Sequence, residues 1–257
     1  MVPESHPPDD ITTGYNNFLP AVSIDNVIFG FHQNELKVLL LQARSNQKWM
    51  LPGGFILKAE DVDEAAARIL KARTGLTDVF LQQFHVFGMA KRNRKQHLKE
   101  VLQTVGVELT ADSWLMQRFI TIGYYALVNY DKVVPQPDET ALVCAWQTVN
   151  QLPDMLFDHE SIIAKALQAL RLQLNYQPIG YNLLPKEFPL KNLQTIYEVI
   201  LGRKLDRSNF NRKILSYGIL EKKEKHFSGA AHKAPFLYSF KDETYFKALE
   251  NGLEKDF

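Results

Sequence analysis

The sequence predicts an α/β (α+β) domain, a mixed sheet lying between helices, followed by a winged helix-turn-helix. Three observations carry that prediction. Between residues 20 and 175, runs rich in Val, Ile, Leu and Phe alternate with segments of helical periodicity. Around residues 175–189 the composition shifts, and Pro178, Gly180, Pro185 and Pro189 mark a linker. Beyond it, two helical segments separated by a short turn precede two strands, which is the order of a winged helix-turn-helix.

Residues 1–19 are proline-rich and polar and read as a flexible N-terminal arm. Residues 21–31 and 35–44 read as strands joined by a turn at His32-Gln33-Asn34. Leu51-Pro-Gly-Gly then breaks the strand pattern. Residues 61–74 read as an alanine-rich helix, because Asp61 and Glu64 have the spacing of a capping box and Gly75 stands where a C-terminal cap belongs. Residues 79–89, 119–130 and 141–149 are further strands. Residues 92–117 interrupt this order as a partly helical insertion whose role is not readable. Residues 158–174 form an amphipathic helix with Ile162, Ile163, Ala166, Leu167 and Leu170 on one face. The first domain thus spans 20–178, a linker 179–189 and the second domain 190–257. In the latter, Leu190, Leu193, Ile196, Tyr197, Ile200 and Leu201 follow helical spacing up to Gly202. Asp206 caps a second helix that Gly218 stops, and residues 219–227 and 236–240 form strands around a Ser228-Gly229 turn.

Composition narrows the function class. A chain that is 46% hydrophobic is not disordered, and no run approaches the roughly 18 apolar residues of a membrane span. The first residues lack the basic start and apolar core of a signal peptide, and the single Cys144 permits neither an internal disulfide nor a cysteine zinc cluster, so the cytoplasm is the expected compartment. The total charge of +1 conceals an asymmetry. Residues 186–257 hold 14 Lys and Arg against 10 Asp and Glu, a net of +4, which leaves −3 for the first 185 residues. Between Arg203 and Lys233 the net is +6, and such a basic block suits an anionic partner, nucleic acid first.

Gly54, Glu60, Arg68, Gly75 and Leu76 recur at fixed intervals, with five, seven and six residues between the first four. This spacing, with the Leu51-Pro-Gly-Gly-Phe lead-in, resembles the Nudix box, G-x5-E-x7-R-E-U-x-E-E-x-G-U with U aliphatic. In Nudix hydrolases the three glutamates after the arginine share a helical face, where they hold Mg²⁺ or Mn²⁺ that neutralises a pyrophosphate and activates water. Here those positions are Ile69, Ala72 and Arg73. The expectation is that metal chemistry is lost, with no catalytic or metal-ligating residue, and that the cleft is kept for a nucleotide diphosphate. Arg68 and Arg73 are read as phosphate contacts, Gly53 and Gly54 as permitting close approach of the ligand, and Trp49, Phe87 and Tyr124 as stacking candidates. Arg44 and Glu60 complete the expected ligand set. The alternative for the arginine is a structural ion pair with Glu60, and aromatic residues in strands are more often core.

A degenerate Nudix box followed by a winged helix resembles the Nudix-related transcriptional regulator (NrtR) family over nearly the whole chain. Phe157-Asp-His-Glu-Ser-Ile-Ile, Leu183-Leu-Pro-Lys-Glu-Phe and residues 193–215 carry the resemblance, whereas Pro189 stands where a capping Thr is expected and the insertion departs as well. In the second helix, Phe210, Ile214 and Tyr217 share an inward face. Ser208, Asn209, Arg212 and Ser216 lie opposite with Lys213 at the edge, suited to reading base edges, and Asn211 joins the same DNA-binding set. Arg203, Lys204 and Arg207 suit phosphates near the helix start, and His232 and Lys233 on the hairpin flank the duplex. The resemblance implies a repressor of NAD metabolism genes in the bacterial cytoplasm. It would bind double-stranded operator DNA as a homodimer and sense ADP-ribose or a related nucleotide as effector, with no cofactor and no membrane. The rivals are an active ADP-ribose pyrophosphatase-like hydrolase and a sugar-responsive Nudix-like regulator.

Overall fold

The computed structural model describes residues 17–90, 92, 95–225 and 235–253; His232, Lys233 and the Ser228-Gly229 turn lie outside the described residues. The chain divides into two units. One comprises the described residues up to 28, 38–126 and 133–166, the other residues 29–37, 127–132 and 167–257. Among the described residues no helix is long and apolar enough to cross a membrane.

Seven strands build the larger sheet among the described residues: β1 (Phe18–His32), β2 (Glu35–Ala43), β3 (Trp49–Met50), β4 (Gly53–Leu57), β5 (Leu81–Phe87), β6 (Ile120–Val128) and β7 (Ala141–Thr148). Their order is β3-β2-β1-β6-β5, with β4 paired to β1 and β7 to β2. Residues 23–30 of the central β1 are all buried, as expected for a strand covered on both faces. The β1–β2 turn needs two positive φ angles, which Gln33 (50°) and Asn34 (61°) supply. The sequence reading differs at two places here. β1 starts at Phe18, inside the segment read as an arm, because its ring is 2% exposed and packs on Phe55 and Trp114. The Pro-Gly-Gly break opens a strand, β4, whose Gly53 and Gly54 lie antiparallel to Asp25 and Ile24.

Helix α1 (Val62–Thr74) has the expected capping box between Asp61 and Glu64, and Gly75 closes it in the left-handed conformation. Its Ala65, Ala66 and Ile69 pack with Ile24, Ile56 and Tyr124 in one apolar cluster. The insertion supplies α2 (Lys95–Gln103) and a 3₁₀ turn (Trp114–Met116), and Leu102, Trp114 and Leu115 make a second cluster with Phe18 and Phe119. Each such buried side chain stabilises the unit by about 1.5–3 kcal/mol. Helix α3 (His159–Gln173) follows β7.

The second unit contains the expected helices α4 (Leu190–Leu201) and α5 (Arg207–Ser216) and the hairpin β9 (Leu220–Lys225) and β10 (Phe236–Phe240). A two-residue strand, β8 (Phe188–Pro189), lies within the segment read as linker and pairs with β10, giving the order β8-β10-β9. Helix α6 (Asp242–Asn251), absent from the sequence reading, is tied to residues 176–178, just before the segment read as linker. Tyr245 Oη donates to Pro178 O at 3.1 Å, Gln177 Nε2 to Leu249 O at 2.7 Å and the Leu253 amide to Tyr176 O at 2.6 Å. Gly180 has φ +115°, and a Cβ there would meet Leu193 Cδ1 at 2.8 Å, so any side chain at this position is strained.

Candidate functional sites

The box residues form a closed structural arrangement. Arg68 Nε donates to Glu60 Oε1 at 2.7 Å and its Nη2 donates to Glu60 Oε2 and to Phe55 O, both at 2.8 Å. The Leu57 amide also donates to Glu60 Oε2, at 3.1 Å. Burial raises the Glu60 pKa, but the Arg68 hydrogen bonds, the Leu57 amide and the Arg68 charge together outweigh it and hold the carboxyl below its ordinary value. Arg68 is therefore a clamp between α1 and the β4 turn, the structural ion pair with Glu60 that the sequence reading offered as the alternative to a phosphate contact.

Where a hydrolase has its first metal glutamate, Ile69 is 4% exposed inside the apolar cluster. A Cβ on Gly54 would come within 2.9 Å of Ile69 Cδ1, and one on Gly53 within 2.5 Å of Asp25 Oδ1. The two glycines thus admit protein neighbours, not the ligand expected of them. Arg73 points to a different partner: its Nη2 lies 3.1 Å from Asp138 Oδ2, and its carbonyl accepts from the Gln136 amide at 3.0 Å. With Glu60 bound to Arg68 and no oxygen ligand at 69, 72 or 73, these residues do not fit a divalent cation.

The remaining expected ligand residues are dispersed. Tyr124 is 2% exposed in the same apolar cluster and its hydroxyl donates to Asp63 Oδ1, so burial first and then Asp63 push its pKa upward; it is core. Trp49 is held in β3 by backbone bonds with Asp154 and Leu156. Arg44 is exposed, with Nε donating to Glu139 O at 2.9 Å. Phe87 is half-buried beneath the Arg92 guanidinium, 6.0 Å from its ring centre.

An open site lies elsewhere in the first unit. A cavity of about 230 Å³ is walled by Phe55, Leu98, Leu115 and Phe119 and edged by Arg92, Lys95, Gln117 and Arg118. Lys95 and Arg118 are exposed and form no ion pair among the described residues. Arg92, by contrast, is 3% exposed and neutralised. Its Nε and Nη2 grip Asp158 Oδ2 and Oδ1 at 2.6 and 2.7 Å, and its Nη1 donates to Thr121 Oγ1 at 2.6 Å and to Phe87 O at 3.3 Å. Burial raises the Asp158 pKa, but the Arg92 bonds and charge more than offset that and leave it below the usual carboxylate value. His159 accepts the Leu51 amide on Nδ1 at 2.9 Å, and its Nε2 lies 3.7 Å from Asp25 Oδ2. Aromatic walls behind free cations suit a flat ring carrying an anionic group.

In the second unit α5 has the two faces read from its sequence. Phe210 and Ile214 are buried, Tyr217 is half-buried, and Arg207, Ser208, Asn209, Arg212, Lys213 and Ser216 are exposed; Asn211 is half-buried. Asp206 caps the helix through the Asn209 amide at 2.8 Å, and Arg212 Nη2 donates to Asn209 Oδ1 at 2.9 Å, so the two base-reading candidates are pre-arranged. Glu198 organises the turn before α5: it accepts the Leu205 amide and Lys204 Nζ, both at 3.0 Å. Lys204 is thereby paired while Arg203 and Arg207 remain exposed without an ion pair among the described residues.

A protein of Acinetobacter baylyi, "ADPR responsive transcriptional repressor NtrR", is 32% identical over 235 residues, 88% of this chain and 84% of that protein. The NUDIX domain model matches residues 19–170 and the NrtR DNA-binding winged helix domain model residues 180–240. The chain belongs to the NrtR family. Its fold is that of the crystal structure of Shewanella oneidensis NrtR, with a TM-score of 0.67 at 24% identity over 92% of this chain and all of the other. An ADP-ribose pyrophosphatase of Methanocaldococcus jannaschii is 27% identical over 150 residues, 56% of this chain and 71% of that protein. In this NrtR-family chain the sequence reading missed Phe55, Arg92, Lys95, Arg118 and Phe119 as a group. The one available signal was the unexplained cationic start of the insertion.

Proposed function

We propose that this NrtR-family protein is a transcriptional repressor of NAD metabolism genes. A homodimer binds two-fold symmetric operator DNA in the bacterial cytoplasm through α4, α5 and the wing. ADP-ribose, or a related NAD-derived nucleotide, enters the cavity of the first unit and releases the DNA. The observation that carries this reading is the combination of Phe55 and Phe119 with unneutralised Lys95 and Arg118 around one cavity. The aromatic walls suit an adenine face and the rim cations a diphosphate. The name of the Acinetobacter baylyi relative, similar along both units, supports the same effector. Release requires that the nucleotide bind more tightly to the form of the protein that holds DNA poorly. The apolar burial of Ile69 and the clamp on Glu60 support a ligand that is sensed and not hydrolysed.

A gel-shift titration tests the proposal: sequence-specific retardation relieved by ADP-ribose is expected, and retardation that ADP-ribose leaves intact overturns the sensor half. Arg212→Ala should weaken operator binding by about 1–3 kcal/mol without changing nucleotide affinity. The pyrophosphatase relative favours one second reading, an active hydrolase. Mg²⁺-dependent release of AMP from ADP-ribose, abolished by Glu60→Gln, would establish that reading in place of the first.

A further inference from the structure

Arg92 is at once a wall of the cavity and the buried partner of Asp158. We infer that Arg92 is a positioning residue that couples an anionic ligand in the cavity to the start of α3, because Asp158 and the ligand draw on the same guanidinium. The inference rests on the ADP-ribose reading above. A guanidinium has five N–H donors, and four are spent on Asp158, Thr121 and Phe87 O. The fifth, on Nη2, faces Asp25 Oδ2 at 3.8 Å, too long for a hydrogen bond. Asp25 is buried, and that oxygen has no hydrogen-bond partner among the described residues. One cation therefore already faces two carboxylates, the half-buried Asp158 and the buried Asp25. A diphosphate drawn in by Lys95 and Arg118 is a third claimant on it, and because the one N–H left over is turned to Asp25, the newcomer competes with the bidentate grip on Asp158.

That grip fixes a helix end. Asp158 immediately precedes α3, and its carbonyl accepts the Ile162 amide at 3.1 Å, so it is the boundary residue of the helix. The next residue, His159, is pinned to the Leu51 amide. Of these two polar anchors at the first turn of α3, the Arg92 one borders the cavity. Helix α3 runs from His159 to Gln173, so a change at its start has a covalent path along it.

The test uses the full chain, ADP-ribose, and a duplex operator selected with the wild-type protein. Calorimetry gives nucleotide affinity, and fluorescence anisotropy gives operator affinity with and without saturating ADP-ribose. In Asp158→Asn the guanidinium is freer, so nucleotide affinity should rise about threefold while the ratio of the two operator affinities falls about fivefold. Asp158→Glu, which restores a carboxylate, should recover the ratio. A wild-type protein that responds to ADP-ribose, beside an Asp158→Asn variant in which neither quantity moves, overturns the coupling and leaves the function standing. A wild-type protein that does not bind ADP-ribose overturns both. If Asp158→Asn does not fold, Arg92→Lys keeps the charge and loses the fork: a reduced ratio supports the inference, and an unchanged ratio overturns it.

Discussion

The first unit contains two sets of cations that differ in what they face. Arg68, Arg73 and Arg92 each lie against a carboxylate, Glu60, Asp138 and Asp158 respectively, and each joins two segments of the fold. Lys95 and Arg118 stand at the cavity edge with no such partner among the described residues. A guanidinium held bidentately by a carboxylate is already matched in charge and geometry, and an incoming phosphate must displace that partner at a cost of several kcal/mol. An unpaired cation in water gives up only solvent. The arginines that the box spacing brings to attention, Arg68 and Arg73, are thus paired within the fold, and the cations left free to meet a ligand are Lys95, inside the insertion, and Arg118, just past its end.

The sharpest way to break this comparison is to put the lost carboxylate back. Ile69→Glu restores the first metal-ligand type at its place in the box, but buries an unpaired charge among Ile24, Ile56, Ala65, Ala66 and Tyr124. We expect a loss of about 4 kcal/mol or more in urea denaturation, with no Mg²⁺-dependent hydrolysis gained. A stable variant that turns over ADP-ribose would mean that the α1 face is still a metal site. Next in size is Arg73→Glu, which exchanges the pair with Asp138 for two like charges. Stability should fall by about 2–3 kcal/mol, since both side chains are largely buried, while nucleotide affinity of the folded protein stays unchanged. Weaker nucleotide binding at unaltered stability would return Arg73 to the ligand set.

The opposite result is expected of the rim. Lys95→Ala together with Arg118→Ala should leave the melting temperature within about a degree, because exposed charges contribute little to stability. Nucleotide affinity should fall about tenfold, the loss of roughly 1–2 kcal/mol of charge-assisted bonding to phosphate. Calorimetry with ADP-ribose and with adenosine separates the two parts of the cavity: adenosine binding, which the proposal assigns to Phe55 and Phe119, should not change. A double variant that binds ADP-ribose as well as the parent would place the ligand elsewhere.

These contrasts also explain which parts of the molecule could be read in advance. Asp61 with Glu64, Gly75, Gly202 and Asp206 announce helix ends through local backbone chemistry, and each cap is found where it was expected. The inward Phe210 and Ile214 follow from period alone. Helix α6 went unread although Tyr245, Ala248 and Leu249 have helical spacing, and its place is set by bonds to residues 176–178, far away along the chain. The cavity failed to announce itself for the same reason: Phe55 comes from β4, Lys95 from α2 and Phe119 from the approach to β6. Spacing identifies a box within twenty residues. It does not say whether an arginine in that box finds its carboxylate eight residues back, as Arg68 finds Glu60, or sixty-five residues on, as Arg73 finds Asp138.

The same division recurs in the second unit, where Lys204 is paired with Glu198 while Arg203 and Arg207 are not. Here the pairing is sharpened by titration. The Leu205 amide first, and Lys204 next, pull the Glu198 pKa down from 4.5 to about 2. A carboxyl whose pKa is lower in the folded state stabilises the fold fully above its unfolded value and ceases to do so as pH falls through the folded value. The advantage of the wild type over Glu198→Gln should therefore be constant above pH 4.5 and shrink steadily from there towards pH 2. Paired thermal melts across that window measure it, and because the group lies at the surface the gap should narrow at high salt as well. A gap that holds its size down to the lowest pH at which both proteins fold would show that Glu198 acts through its neutral hydrogen bonds to Gln194 and Leu205, and that Lys204 is as free to meet a phosphate as Arg203 is.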